Sequence, residues 1–276
     1  MPLFIASLNS GSNGNCYYVG NEQEAILIDV GISCRETEKR MKRLGLPMEK
    51  VKAIFISHEH GDHISGVSVL AKKINVPVYI TASTLLHGRI QLEKELIKSF
   101  FAHQPIHIGN MAITAFPKLH DASDPHNFIL SSESVTVGVF TDIGIVCDQL
   151  VKYFKLCHAV FLESNYDNTM LENGNYPLHL KNRIRGGMGH LSNEQALQLF
   201  MTHRPKFLSH LILSHLSKNN NDPKLVEDIF NENKGNTKII VASRYKESAL
   251  YTITSDGMYA NFLAKKKIKT EQLSLF

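Results

Sequence analysis

Short runs of aliphatic and β-branched residues alternate along most of the chain with longer segments of helical period. "EAILIDV" (24–30), "KAIFIS" (52–57) and "VPVYIT" (76–81) are compact and rich in Ile and Val, as strands buried on both faces are. Between them "RETEKRMKRLG" (35–45) and "SGVSVLAKKIN" (65–75) repeat apolar side chains at helical spacing and end near Gly or Asn. "MAITAFP" (111–117), "NFILSS" (127–132) and "VTVGVFT" (135–141) then follow one another through short turns, strand after strand. Residues 145–157 read as helix, "HAVFLES" (158–164) as strand, and "SNEQALQLFMTH" (192–203) as a helix with Ser192 at its N-cap and Gln195 closing a capping box. "KFLSHLILSH" (206–215) and "TKIIVAS" (237–243) read as strands around the helix "DPKLVEDIFNE" (222–232), which carries Pro223 in its first turn. Each half runs strands first and strand–helix alternation second, with no interior linker and no repeat. The pattern predicts an α/β protein of four αββα layers: two mixed sheets face to face with helices outside. It forms one domain over residues 1–263, and residues 264–276 form a flexible basic tail.

Composition adds exclusions. A chain of 276 residues can bury a large core, and 43% hydrophobic with 20% charged residues is ordinary for a globular protein. No apolar stretch approaches the roughly 20 residues that cross a bilayer, so no membrane partner is expected. The start "MPLFIASLNSGSNGNC" lacks the basic region of a secretory signal, and a cytoplasmic location is expected. The net charge of +4 sits mostly in the tail, where Lys265, Lys266, Lys267 and Lys269 stand against Glu271. The body is nearly neutral, so any nucleic acid must be held by local patches. Four scattered cysteines without a CxxC pair argue against a disulfide scaffold and against a thiolate zinc site. Fourteen histidines are a surplus that points toward metal chemistry.

That chemistry concentrates in "SHEHGDHISG" (57–66), at the end of the strand "KAIFIS". On an extended segment His58 and His60 point to one side. Asp62 and His63 follow as the chain turns into a helix, and Gly61 permits the tight turn. The competing reading is a solvated polar turn. Four ligand-type residues within six positions are too costly to desolvate unpaired for a packing cluster.

H-x-H-x-D-H at this place resembles the metallo-β-lactamase superfamily, and the resemblance carries to further residues. Asp29 in "LIDVG" matches an aspartate that supports the metal loop. His120 in "KLHDASDP", Asp142 in "VFTDIG" and His215 in "ILSHLS" match ligand positions. The implied first site is His58, His60, His120 and Asp142; the second is Asp62, His63, Asp142 and His215. Nitrogen and carboxylate ligands suit two divalent ions, Zn²⁺ or Mn²⁺, with Fe also compatible. Two such ions lower the pKa of a shared water and hold attacking and leaving oxygens, which implies a hydrolase whose nucleophile is a metal-bridging hydroxide oriented by Asp62. "SLNSGSNGNCYYV", "HDASDP" and "GHLSNEQA" resemble the YycJ (WalJ)-like branch over about residues 3–260, and that branch implies a double-stranded DNA exonuclease acting 5′ to 3′ in repair or replication. Kinship with ribonuclease Z implies a catalytic pair, His190 as general acid and Glu163 as its orienter. A histidine that only binds phosphate or caps the following helix is the alternative for His190.

Lys181, Arg183 and Arg185 cluster before His190 and are candidates for neutralising phosphates, against a solvated helix face. Ser10, Ser12 and Asn13 are further candidates for substrate contact. His126, His158, His179, His203 and His210 lack motif context and read as surface or core histidines. The final "QLSLF" resembles the peptide with which bacterial DNA polymerases and repair proteins dock on the sliding clamp. Gln272 would bond at a pocket rim, Leu273, Leu275 and Phe276 would fill apolar pockets, and Ser274 would space them. The alternative is a tail packed on its own body as an edge strand. At the level of function the alternatives are a small-molecule cyclic phosphodiesterase, an RNA-processing hydrolase of the same fold, and a non-enzymatic adaptor bound to the clamp.

Overall fold

Two seven-stranded sheets organise residues 1–256, the part of the chain that the computed structural model describes. The first half of the chain contributes β1 (Leu3–Asn9), β2 (Cys16–Gly20), β3 (Ala25–Ile28), β4 (Val51–Phe55), β5 (Val78–Tyr79) and β6 (Ile97–Lys98) to one sheet. The second sheet holds β7 (Pro105–Ile108), β8 (Met111–Pro117), β9 (His126–Ser132), β10 (Val135–Phe140), β11 (Ala159–Glu163), β12 (His210–Ser214) and β13 (Lys238–Val241), and β14 (Tyr251–Ile253) returns to the first. The first sheet is ordered β14-β1-β2-β3-β4-β5-β6, antiparallel up to β3 and parallel from β3 to β6. The second is ordered β13-β12-β11-β10-β9-β8-β7, parallel from β10 to β13 and antiparallel from β7 to β10. The helices are α1 (Cys34–Arg43), α2 (Gly61–Ile64), α3 (Val67–Ile74), α4 (Ala82–His87), α5 (Asp148–Phe154), α6 (Asn168–Asn173), α7 (Leu178–Arg185), α8 (Asn193–His203) and α9 (Pro223–Glu232).

Alternation along the strands builds the layers. Ile5, Tyr17, Ile26 and Ile28 of the first sheet meet Phe128, Val137, Phe161 and Ile212 of the second in the central core. The intervening residues Ala6, Tyr18 and Leu27 face the other way and pack with Met41 of α1 and Leu70 of α3. On the far face of the second sheet Phe140, Leu162 and Leu211 pack with Phe154 of α5, Phe200 of α8 and Phe230 of α9. Both faces of each sheet are covered, hence the unbroken aliphatic runs. The four-layer αββα reading holds. The helix over 192–203 carries the expected capping box, and α9 starts with an Asp222 side-chain cap ahead of Pro223.

Three elements are shorter than expected. "VPVYIT" contributes two ladder residues, Val78 and Tyr79, because the edge of the sheet lies one short strand away. The helix expected over 145–157 spans Asp148–Phe154. In "KFLSHLILSH" the stretch before His210 is a turn closed by the Leu208 N–H on the Pro205 carbonyl at 3.1 Å. The four cysteines are free. No helix among the described residues is long and apolar enough to cross a membrane. The tail motif Gln272–Phe276 lies outside the described residues.

Candidate metal centre

The ligand-type residues gather where the ends of β3, β4, β8, β10, β11 and β12 meet. Asp29 (φ 57°), Asp142 (φ 55°) and His215 (φ 58°), each within two residues of a strand end, adopt the left-handed backbone conformation. That conformation costs a residue with a Cβ roughly 1–2 kcal/mol. It turns the chain sharply, so each buried side chain stays at the cluster. Gly31 makes a second approach possible: a Cβ there would lie 1.6 Å from the Asp62 carbonyl oxygen.

Every histidine of the cluster spends one ring nitrogen on an outward hydrogen bond. The Ser57 hydroxyl donates to Asp29 Oδ2 (2.8 Å), so it accepts from His58 Nδ1 (2.8 Å). His63 Nδ1 donates to Asp29 Oδ2 (2.7 Å), His120 Nδ1 to the Gly189 carbonyl (3.0 Å), and His60 Nε2 to the Asp121 carbonyl (3.2 Å). His215 Nδ1 donates to Glu163 Oε1 (2.9 Å). These tautomers leave five lone pairs pointing inward, on His58 Nε2, His60 Nδ1, His63 Nε2, His120 Nε2 and His215 Nε2.

Those lone pairs face one another and the carboxylates. His60 Nδ1 lies 3.1 Å from His58 Nε2 and 3.3 Å from His120 Nε2. Asp62 Oδ2 lies 3.6 Å from His63 Nε2 and 3.5 Å from His215 Nε2. Asp142 touches both groups: Oδ2 is 3.2 Å from His63 Nε2, while Oδ1 is 3.5 Å from His215 Nε2 and 3.8 Å from His120 Nε2. A buried centre of acceptors alone is unstable without cations. Without metal, protons must serve. Burial works against charge on His63, yet Asp142, Asp29 and Asp62 hold its proton and push its pKa to about 10. His215 is raised well above the usual range by the same competition, with Asp142, Asp62 and Glu163 prevailing. Burial drives His120 down to about 4 and holds His58 well below the usual range. Asp29, Asp62, Asp142 and Glu163 stand against the buried Lys118, whose Nζ donates to the Thr141 carbonyl (2.7 Å). With neutral imidazoles the net charge is minus three, which two divalent ions would turn to plus one. The donor set, its geometry and its charge therefore fit a pair of divalent cations.

Glu163 and His190 stand beside this cluster. Glu163 is fully buried, and its Oε1 accepts from His190 Nδ1 at 2.8 Å. Its Oε2 accepts from the backbone N–H groups of Ile143 (2.7 Å) and Leu191 (3.2 Å). Burial opposes its ionisation, but the His190 charge and the hydrogen bonds from His190 and His215 prevail and hold the carboxyl at about 2.

The candidate phosphate-binding residues separate. Arg183 reaches the centre, with Nε 2.5 Å from Asp121 Oδ2, while the other oxygen of Asp121 lies 3.4 Å from His120 Nε2. Lys181 and Arg185 turn instead to Glu172 of α6, the lysine to its carbonyl and the arginine to its carboxylate. Ser12 Oγ accepts from Arg244 Nη2 (3.1 Å), and Asn13 Nδ2 donates to the Arg244 carbonyl (2.8 Å). Ser10 Oγ accepts from the His215 N–H (2.8 Å). His126, His158 and His210 pack against Phe100, Phe207 and Tyr251.

Asn15, Asp121, Lys118 and Arg244 escaped the sequence reading. Asn15 Nδ2 lies 3.1 Å from Asp62 Oδ2 and 3.0 Å from His63 Nε2, and its place in "GSNGN" is a signal that could have found it. Lys118 and Asp121 flank His120 in "KLHDASDP", a signal of the same kind, and no pattern marks Arg244.

Residues 10–144 match the profile of the metallo-beta-lactamase superfamily. Exodeoxyribonuclease YycJ of Bacillus anthracis is 34% identical, over 82% of this chain and 86% of that protein. Exodeoxyribonuclease WalJ of Streptococcus pneumoniae is 30% identical, over 79% of this chain and 83% of that protein. Among solved structures, the metallo-beta-lactamase fold protein YhfI of Bacillus subtilis superposes with a TM-score of 0.70 at 17% identity, covering 91% of this chain and 100% of that chain.

Proposed function

The chain belongs to the metallo-beta-lactamase superfamily, in its YycJ-like branch, and is a metal-dependent hydrolase; on that premise we propose that it is a dinuclear phosphodiesterase that degrades double-stranded DNA from the 5′ end. The observation that carries this reading is the position of Asp142 between two histidine groups, with the Glu163–His190 pair beside them. Exodeoxyribonuclease relatives that align over about four-fifths of the chain support DNA as the substrate.

One ion would be held by His58, His60, His120 and Asp142, the other by Asp62, His63, Asp142 and His215, with Asp29 fixing His63 and Ser57. The donors suit Zn²⁺ or Mn²⁺. Two cations there would lower the pKa of a water and offset the charge of the phosphate. This chain's residues do the rest. Asp62 orients the attacking hydroxide. As that oxygen bonds to phosphorus, the bond from phosphorus to the departing oxygen breaks. Glu163 holds His190 by Nδ1, which leaves Nε2 to donate a proton to that oxygen. Arg183 beside the centre, with Lys181, Arg185, Ser12 and Asn13 farther out, contacts the flanking phosphates.

In this reading the enzyme is cytoplasmic, forms one domain over residues 1–263, and works in DNA repair or replication. It is recruited to the sliding clamp by Gln272, Leu273, Ser274, Leu275 and Phe276. Tethering raises its concentration at DNA without a new contact at the active site. Removal of residues 272–276 should abolish binding to purified clamp.

Digestion of end-labelled linear duplex by metal-loaded protein tests the central claim. Wild type should shorten the duplex from the 5′ end, and Asp62→Ala should lose that activity by about 10³-fold or more. A duplex left intact by wild type while a cyclic phosphodiester is cleaved would move the substrate to small phosphodiesters.

A further inference from the structure

Beside the metal cluster, the ends of β1, β12 and β13 enclose a cavity of about 200 Å³. Ser10, Ser217, Lys218, Ser243, Arg244 and Tyr245 give it its chemistry. It adjoins the candidate ligands directly. Ser10 Oγ, on its wall, accepts the His215 N–H at 2.8 Å, and Ser217 follows His215 by two residues.

The walls are built for an anion. Arg244 lies in a cradle made by the N-terminal loop: Nη2 donates to Ser12 Oγ (3.1 Å), and Asn13 fixes the Arg244 carbonyl (2.8 Å). Gly11 (φ 128°) leaves room for it, since a Cβ there would lie 2.8 Å from Nη2. Arg43 meets Glu247, Arg183 meets Asp121 and Arg185 meets Glu172, while Arg204 donates to the Asn233 carbonyl. Among the described residues Arg244 bonds to a neutral hydroxyl, and no carboxylate pairs with it or with Lys218. Ser217 Oγ accepts from the Asn220 N–H (3.2 Å) and Ser243 Oγ from the Tyr245 N–H (3.1 Å), so both hydroxyl protons remain to donate. Two cations and two free hydroxyl protons match the oxygens of a phosphomonoester, which only accept.

Size and rim narrow the ligand. The volume falls below the roughly 300 Å³ that houses a drug-sized ligand. A phosphate with its sugar fits; a duplex does not. Tyr245 stands at the rim, 73% exposed, and an aromatic face in water is a stacking platform for a base.

We propose that this cavity receives the 5′-phosphate and sugar of the terminal nucleotide, with the base stacked on Tyr245, while the next phosphate lies on the metal cluster. The proposal rests on the phosphodiesterase reading above. It makes the strand end a recognised group and sets the cut one nucleotide inside it.

The test compares cleavage of duplexes that differ only in a 5′-phosphate or a 5′-hydroxyl. Wild type should cut the phosphorylated end about tenfold faster or more, the effect of charge-assisted hydrogen bonds. Arg244→Gln should bring that ratio close to one, and Lys218→Gln, at an exposed side chain that cannot disturb folding, should lower it. Equal rates on both ends with wild type, or an undiminished ratio in both variants, overturns the proposal. Failure of wild type to cut either end refutes the nuclease reading instead. Binding of deoxyadenosine 5′-monophosphate to metal-free protein then reads the cavity alone. Saturable binding weakened about tenfold by Arg244→Gln supports it; no binding, or binding that the variant leaves unchanged, overturns it. Inorganic phosphate competing as tightly as the nucleotide overturns the part played by sugar and base.

Discussion

Replacing Glu163 by Gln changes few atoms and removes a capacity that no amide can supply. The carboxylate accepts four hydrogen bonds: two imidazole N–H groups on Oε1, from His190 and His215, and two backbone N–H groups on Oε2, from Ile143 and Leu191. An amide has one acceptor oxygen. Its NH₂ must confront either the two backbone donors or the two rings. The backbone cannot change, so the rings give way and accept at Nδ1. Their protons then sit on Nε2. For His215 that proton replaces the lone pair aimed at Asp62 and Asp142. Two charge-assisted bonds at ~1.5–3 kcal/mol each are forfeited, about 3–6 kcal/mol before relaxation. Metal affinity should fall about 10- to 100-fold, as when an outer support of a ligand is lost. Turnover should fall by at least ~10². His190→Gln should lower turnover by ~10² or more and leave metal affinity unchanged, because His190 holds no ligand in place. The double variant should resemble Glu163→Gln alone, since the glutamate acts through His190 and His215. Metal titration followed by calorimetry, with single-turnover cleavage of labelled DNA, measures all three. A double variant whose loss is the product of the two single losses would refute the shared-carboxylate reasoning, as would metal binding of wild-type strength by Glu163→Gln.

Two further expectations follow from packing. Gly31→Ala would place a Cβ 1.6 Å from the Asp62 carbonyl oxygen and 2.6 Å from the Asn15 nitrogen, both backbone atoms. It should cost at least about 3 kcal/mol in urea unfolding and weaken metal binding; wild-type values for both would disprove the close approach. Burial, and then Lys238, pushes the pKa of His210 to about 4. The unfolded chain takes up this proton below about pH 6.5, while the folded protein waits until about pH 4. The contribution to stability is therefore complete above pH 6.5 and shrinks as pH falls toward 4, by up to ~3 kcal/mol. His210→Phe should flatten that part of the stability profile, and an unchanged slope would count against a buried neutral imidazole.

What the sequence displays and what it hides divides along physical lines. The two-sided burial of both sheets shows in "EAILIDV" and "HAVFLES", because strands covered on both faces must be aliphatic throughout. His58, His60, Asp62 and His63 are visible because six residues hold them all. Asp29, Asp142 and His215 stand right after aliphatic runs, yet nothing in their neighbours announces the left-handed turn each makes. Arg183 meets an aspartate 62 residues away, a contact that none of its neighbours in the sequence announces. Arg244 was invisible for the same reason: Asn13, which fixes its carbonyl, lies 231 residues earlier. Contacts of that range arise from tertiary packing, and no local pattern encodes them. β1 and β2 carry polar, glycine-rich ends that serve the site, and those ends mask their strand character.

The origin of the ligands has a mechanical consequence. His58, His60 and His63, with Asp29, come from turns of the first sheet; His120, Asp142 and His215 come from turns of the second. Apolar contact holds those two sheets together across the central core. Cations shared by ligands from both would act as a reversible cross-link, clamping the sandwich at one edge as a disulfide clamps a loop. Loading and removal of metal would then set how tightly the halves are locked as well as whether the enzyme is active. A chelator would loosen the fold from the catalytic edge inward.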